Sequence, residues 1–216
     1  MVTDKIYDAS GFVILTDVVQ DVILEMRYFS SFNFTGERAK NYLEPIAIIS
    51  KEAALALKDV SRKLKEEKLV LKVYDAYRPQ STVDSFVDWS INGSDAMKPY
   101  FYPKIEKNET FSKGYLIKRS SHSKGSAIDV TLVSMKTGEP LNMGGPYDFF
   151  DEISHPDYKG IKENQFNNRM LLREIMLECG FEPLETEWWH FTLKDEPFKD
   201  IYFDFPVANK SITAGV

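Results

Sequence analysis

Apolar and polar positions along this chain recur with two different periods, and each change of period marks an element. Over residues 51–68, Ala53, Ala54, Leu57, Val60, Ser61 and Leu64 follow a 3.6-residue spacing, which predicts an amphipathic helix. Ser50 offers it a partial N-terminal cap. Residues 69–77 are β-branched and aromatic and read as a strand closed by Arg78-Pro79, and Pro79 suits the first position of a helix running to about Ile91. A second strong helix is predicted over residues 167–179, with Met170, Leu171, Ile175 and Met176 as its apolar positions and Gly180 as its stop. Residues 127–133 and 188–193 read as strands, with a turn at 136–139.

The remaining segments are shorter or irregular. Two apolar runs occupy residues 12–15 and 18–24, and Asn33-Phe34-Thr35-Gly36 reads as a turn. Residues 92–114 read as a long connection or lid, and residues 141–160 as a loop rich in Gly and Pro. Helices and strands do not alternate regularly, so the expected fold is α+β with a central antiparallel sheet flanked by helices, in one domain spanning residues 1–216.

Composition narrows the function classes. The net charge is −6 and the basic residues are dispersed, so the concentrated electropositive footprint of a nucleic-acid reader is missing. No apolar run approaches the ~20 residues of a membrane span, and the first eight residues lack the pattern of a secretion signal, so the expectation is a cytoplasmic protein. The single cysteine, Cys179, cannot form an internal disulfide and reads as a buried structural thiol at a helix end.

With only three histidines in the chain, their settings stand out. His122 and Asp129 lie seven positions apart, separated by Gly125 in a turn that enters a strand, and His190 starts another strand three positions after Glu187. Two imidazoles and a carboxylate suit one Zn²⁺ with a fourth position left for water. The same donors could hold Fe²⁺, though Glu187 beside a ligand favours hydrolysis. Taken singly, His122 also reads as a polar loop residue and His190 as a hydrogen-bonded core histidine. Glu187 is the candidate general base, and Trp188 and Trp189 are expected to limit its solvent access and raise its pKa. Arg78 is either an oxyanion stabiliser or a surface ion-pair partner. Asp148 sits in a loop able to bind an ammonium group, and His155 reads as a surface turn.

Three segments carry a family resemblance: Ser120-x-His122-Ser123-x-Gly125-x-Ala127-x-Asp129, Glu187-x-Trp189-His190 and Asp75-Ala76-Tyr77-Arg78-Pro79. Together with residues 28–36, and over roughly residues 12–205, they resemble the D-alanyl-D-alanine dipeptidases associated with glycopeptide resistance. These belong to a larger group of zinc DD-peptidases of hedgehog-like fold. The resemblance implies His122, Asp129 and His190 as ligands of one zinc ion, Glu187 as base and Arg78 as transition-state partner. It further implies that Ser120 and Asp148 recognise the free amino end of a small D,D-dipeptide. Phe34 and the loops around Tyr100 and Tyr147 are then expected to wall a small cavity. Two other readings stand beside it: a zinc carboxypeptidase or endopeptidase acting on cell-wall stem peptides, and a metal-containing binding domain without catalysis. Oligomeric state is not legible in the sequence.

Overall fold

The computed structural model describes residues 7–213, so most of the N-terminal stretch read for a secretion signal lies outside the described residues. The chain opens with β1 (Phe12–Ile14), the single-turn helix α1 (Leu15–Val18) and β2 (Ile23–Leu24). The two apolar runs therefore yield very short strands. β3 (Ile48–Ser50) pairs antiparallel with β1 and leads straight into α2 (Lys51–Glu66), where the Ser50 hydroxyl accepts a hydrogen bond from the Ala53 amide. Ala53, Ala54, Leu57, Val60 and Leu64 are fully buried, as their period requires. The helix stops short of the expected Lys68, whose φ of 59° is left-handed.

β4 (Leu69–Asp75), α3 (Gln80–Asn92), α4 (Lys98–Phe101) and β5 (Ala127–Ser134) follow. Then come α5 (Glu163–Glu178), β6 (Phe181–Leu184), β7 (Glu187–Leu193) and α6 (Asn209–Thr213). The main sheet has the order β2-β4-β5-β7-β6. It is antiparallel except at one edge, where β2 pairs parallel with β4, so the fold is α+β as expected, with that one departure.

One sheet-and-helix core holds Ile128, Val130 and Leu132 of β5 with Ala53, Leu57 and Leu64 of α2 and Leu172 and Met176 of α5. Strand period two then turns Asp129 to the opposite face. A second, mainly aromatic cluster contains Tyr28, Phe34, Tyr42, Tyr77, Phe86, Trp89, Tyr102 and Phe150. The expected lid is anchored in it by Phe101, Tyr102 and Ile105, which are buried, while most other residues of 92–114 are half-buried or exposed.

Two sequence expectations for α5 change. The helix begins four residues earlier than residue 167, and its buried residues are Arg169, Leu172, Ile175 and Met176, with Met170 and Leu171 only half-buried. Cys179 is half-buried at the C-terminal end of this helix, not fully enclosed. Among the described residues no helix is long and apolar enough to cross a membrane.

Candidate metal centre

Strand register, more than sequence spacing, assembles the site. Asp129 of β5 lies opposite Asp75 of β4 on one side and His190 of β7 on the other. On the β4 side this depends on a bulge: Val73 pairs with Val130 and Asp75 with Asp129, so Tyr74 is the extra residue. Such an insertion re-aims the residues beyond it. His122 arrives on a 3₁₀ turn (Ser121–Lys124) that Ser120 caps and Gly125 ends. Gly125 has φ 85°, and a Cβ there would lie 2.1 Å from the Phe12 ring, so both conformation and space demand glycine.

The three donors converge tightly. His122 Nε2 lies 3.1 Å from His190 Nδ1 and 3.3 Å from Asp129 Oδ1, and His190 Nδ1 lies 3.1 Å from Asp129 Oδ1. The far nitrogen of each imidazole is otherwise engaged. His122 Nδ1 donates to the Ala76 carbonyl at 2.6 Å, and His190 Nε2 has the Ser121 and Thr192 hydroxyls at 3.2 Å. The Ala76 carbonyl sets the His122 tautomer with Nε2 turned inward, while the two hydroxyls serve either tautomer of His190. Both imidazoles can therefore offer a lone pair to a cation beside Asp129, or a proton to that carboxylate when protonated. Tetrahedral bonds of about 2.0–2.1 Å separate ligands by roughly 3.3 Å, so the donor set fits zinc. Burial alone would raise Asp129, but the charges and hydrogen bonds of His122 and His190 outweigh it and hold this carboxyl far below the ordinary carboxylate range.

The other candidates gather around the donors. Glu187 places a carboxylate oxygen 3.9 Å from His190 Nδ1. Burial raises its pKa first and Asp129 adds to the rise, while His190 and Arg78 oppose it; the outcome is about 7, within reach of a working base. Its side chain is still 26% exposed. Trp188 and Trp189 are buried but neither lines the cleft, and the indole N–H of Trp189 lowers the Glu187 pKa, so the expected rise comes from burial and not from that ring.

Arg78 is not a surface partner. It is 8% exposed, donates from Nε to Asp75 Oδ2 at 2.8 Å and from Nη2 to the same oxygen at 2.8 Å, and has Asp129 Oδ2 at 3.6 Å. Its guanidinium lies over the Tyr28 ring at 4.6 Å. Asp75, wholly buried, also accepts from the Tyr42 hydroxyl at 2.6 Å. Asp75→Ala should therefore lower stability by roughly 3–5 kcal/mol, because it leaves a buried guanidinium without its nearest carboxylate. Urea unfolding measures this, and a loss below ~1 kcal/mol would show that Arg78 is held by other groups.

Asp148 is 7% exposed with φ 57°, and its Oδ2 accepts from the Tyr28 hydroxyl at 2.9 Å. Burial drives its pKa well above the usual range, with the charge of Asp129 adding to the rise. Ser120 Oγ accepts from the His122 amide at 3.3 Å. All seven residues, Arg78, Ser120, His122, Asp129, Asp148, Glu187 and His190, line one cleft of about 480 Å³.

Two of the three expected walls move, while the loop around Tyr147 lines the cleft through Asp148. Phe34 is fully buried behind Tyr28 and Phe86, and those two rings line the cleft in its place. Tyr100 is 61% exposed and elsewhere. Tyr147 lies beneath the donors, its hydroxyl donating to Asp129 Oδ2 at 3.0 Å. Sequence reasoning did not single out Asp75, Tyr42 or Thr192. Asp75 left one clue, a carboxylate at the end of an apolar strand three positions before an arginine.

Two buried imidazoles and a carboxylate within 3.1–3.3 Å of one another, with a second carboxylate beside them on an α+β scaffold, have the donor set of a metallopeptidase centre. The chain belongs to the D-Ala-D-Ala dipeptidase family, whose family model matches residues 8–208. It is 40% identical over 200 residues to the D-alanyl-D-alanine dipeptidase of Enterococcus faecalis, covering 92% of this chain and 99% of that protein. The dipeptidase of Streptomyces coelicolor is 39% identical over 198 residues, 91% of this chain and 98% of that one. For the dipeptidase of Escherichia coli the values are 31% over 186 residues and 86% of each chain.

Proposed function

We propose that this chain hydrolyses D-alanyl-D-alanine to two D-alanines, with His122, Asp129 and His190 holding one zinc ion. The observation that carries this reading is the mutual 3.1–3.3 Å approach of three ligand atoms with Glu187 at their side. Family membership supports the reaction class and the dipeptide as substrate. When bound, zinc supplies the electrophile that polarises the scissile carbonyl and acidifies water.

The residues of the chain do the remaining work. Glu187, with its pKa raised to about 7, takes the proton of the attacking water and returns it to the leaving nitrogen. Arg78, locked by Asp75 and resting on Tyr28, faces the oxygen on which negative charge develops and needs no reorganisation to do so. Asp148 meets the substrate's ammonium: a carboxyl that burial pushes toward its neutral form regains its charge when a cation arrives. Ser120 lies in the same cleft with hydroxyl capacity to spare for the substrate.

A cation-seeking carboxylate buried in the cleft favours a substrate with a free amino end. D-Ala-D-Ala should be cleaved at least 100-fold more efficiently, in kcat/KM, than its N-acetylated form or a pentapeptide ending in the same two residues. Comparable rates on the three would support a carboxypeptidase acting on stem peptides. One bound zinc with no hydrolysis of any of them would support a binding domain.

A further inference from the structure

Arg169 is the second buried arginine, and no carboxylate among the described residues pairs with it. It is 1% exposed. Nε donates to the Met143 carbonyl at 2.5 Å, Nη1 to that of His155 at 2.7 Å and Nη2 to that of Ile153 at 2.9 Å. All three acceptors are backbone groups of one irregular segment, residues 141–160. Burial lowers the guanidinium's pKa to about 10, which still leaves it charged at neutral pH.

Those carbonyls straddle the cleft residues of the segment. Met143 lies five positions before Asp148 and Ile153 five positions after it. Between them, Tyr147 bonds Asp129, and Asp148 holds a left-handed φ of 57° that a non-glycine residue keeps only when its surroundings impose it. Neighbouring side chains of α5 join the grip: Gln165 Nε2 donates to Asn142 Oδ1 at 3.0 Å and Asn168 Nδ2 to the Asn142 carbonyl at 2.9 Å. Gly144 lets the segment come close, since a Cβ there would meet Ile161 at 2.7 Å, and Gly145 lies against the Arg169 guanidinium.

A buried ion whose hydrogen bonds all go to carbonyls, with the Trp188 ring at 5.9 Å as its other neighbour, is a poor way to gain stability. It is an effective way to fix an irregular backbone, because one planar group satisfies three carbonyls in set directions. We infer that Arg169 is a positioning residue for substrate recognition, fixing the 141–160 segment so that Asp148 meets the substrate's ammonium. This rests on the reading of Asp148 as the ammonium site.

The test is a double-mutant cycle in KM and kcat for D-Ala-D-Ala on the zinc-loaded enzyme, with zinc content measured for every variant. Arg169→Met should raise KM about 10-fold or more, change kcat less than about threefold and leave one zinc per chain. Arg169→Lys, which keeps the charge but not the three-way fork, should fall between wild type and Arg169→Met, and it carries the test should the Met variant not fold. In an Asp148→Ala background either change at Arg169 should add less than about twofold in KM. Equal multiplication of KM in both backgrounds, or an effect confined to kcat, would overturn the inference. An unchanged KM for Asp148→Ala alone would instead overturn the ammonium reading, and the clamp with it.

Discussion

Replacing Glu187 by Ala should leave one zinc bound per chain while D-Ala-D-Ala turnover falls by about 10²–10⁴-fold, the usual contribution of a positioned general base. The proposed donors of the metal pocket are His122 Nε2, His190 Nδ1 and Asp129 Oδ1, and none of them depends on Glu187, whose carboxylate stands 3.9 Å from His190. Affinity for the metal and rate should therefore separate. The pH dependence has a definite sign. Burial sets the Glu187 pKa at about 7 in the metal-free pocket, and a bound cation pulls it lower. The base works only when ionised, so kcat/KM should fall as pH drops below neutral, and this limb should disappear from whatever residual activity Glu187→Ala retains. Turnover within threefold of wild type in that variant would remove Glu187 from the mechanism.

His122→Ala should be more severe, because it removes the metal together with the chemistry. The pocket would keep one imidazole and one carboxylate, too few for a stable tetrahedral site. In chelator-treated wild-type protein, zinc at about 100 times its Kd should add about 2.7 kcal/mol. That corresponds to a rise in Tm of about 5–10 °C for a chain of this size. The variant should show no rise and no measurable D-alanine release. A full zinc-induced shift in His122→Ala would mean that the metal is held by other donors.

The sequence pointed to the candidate metal set that the fold brings together because so few of its residues could serve. Three histidines, one with an aspartate seven positions on and another with a glutamate three positions before, left little choice. What brings them together was not legible. Convergence depends on the pairing of β5 with β7 and on the bulge at Tyr74, and pairing register is written in cross-strand packing, not in spacing. The helix α2 was readable from its period and its Ser50 cap, since its inward face is mostly apolar or small, and α3 from the proline that precedes it. α5 was misread at Arg169 because a period-based reading seeks apolar residues on the buried face, and this position answers to loop carbonyls instead. Asp75 was given no role of its own for a related reason: besides Arg78 three positions on, it serves His122 and Tyr42, partners that only the folded chain brings near it. The parallel edge strand β2 has two residues, too short for any periodic signal.

The central claim is a zinc-dependent dipeptidase with one catalytic metal, and stoichiometric reconstitution tests it most directly. Protein stripped by a chelator is titrated with zinc while D-alanine release from D-Ala-D-Ala is followed. Release should be absent at the start, rise in proportion to added zinc and level off at one zinc per chain. Release that is undiminished in the stripped protein, or a chain saturated with zinc that frees no D-alanine, would contradict it.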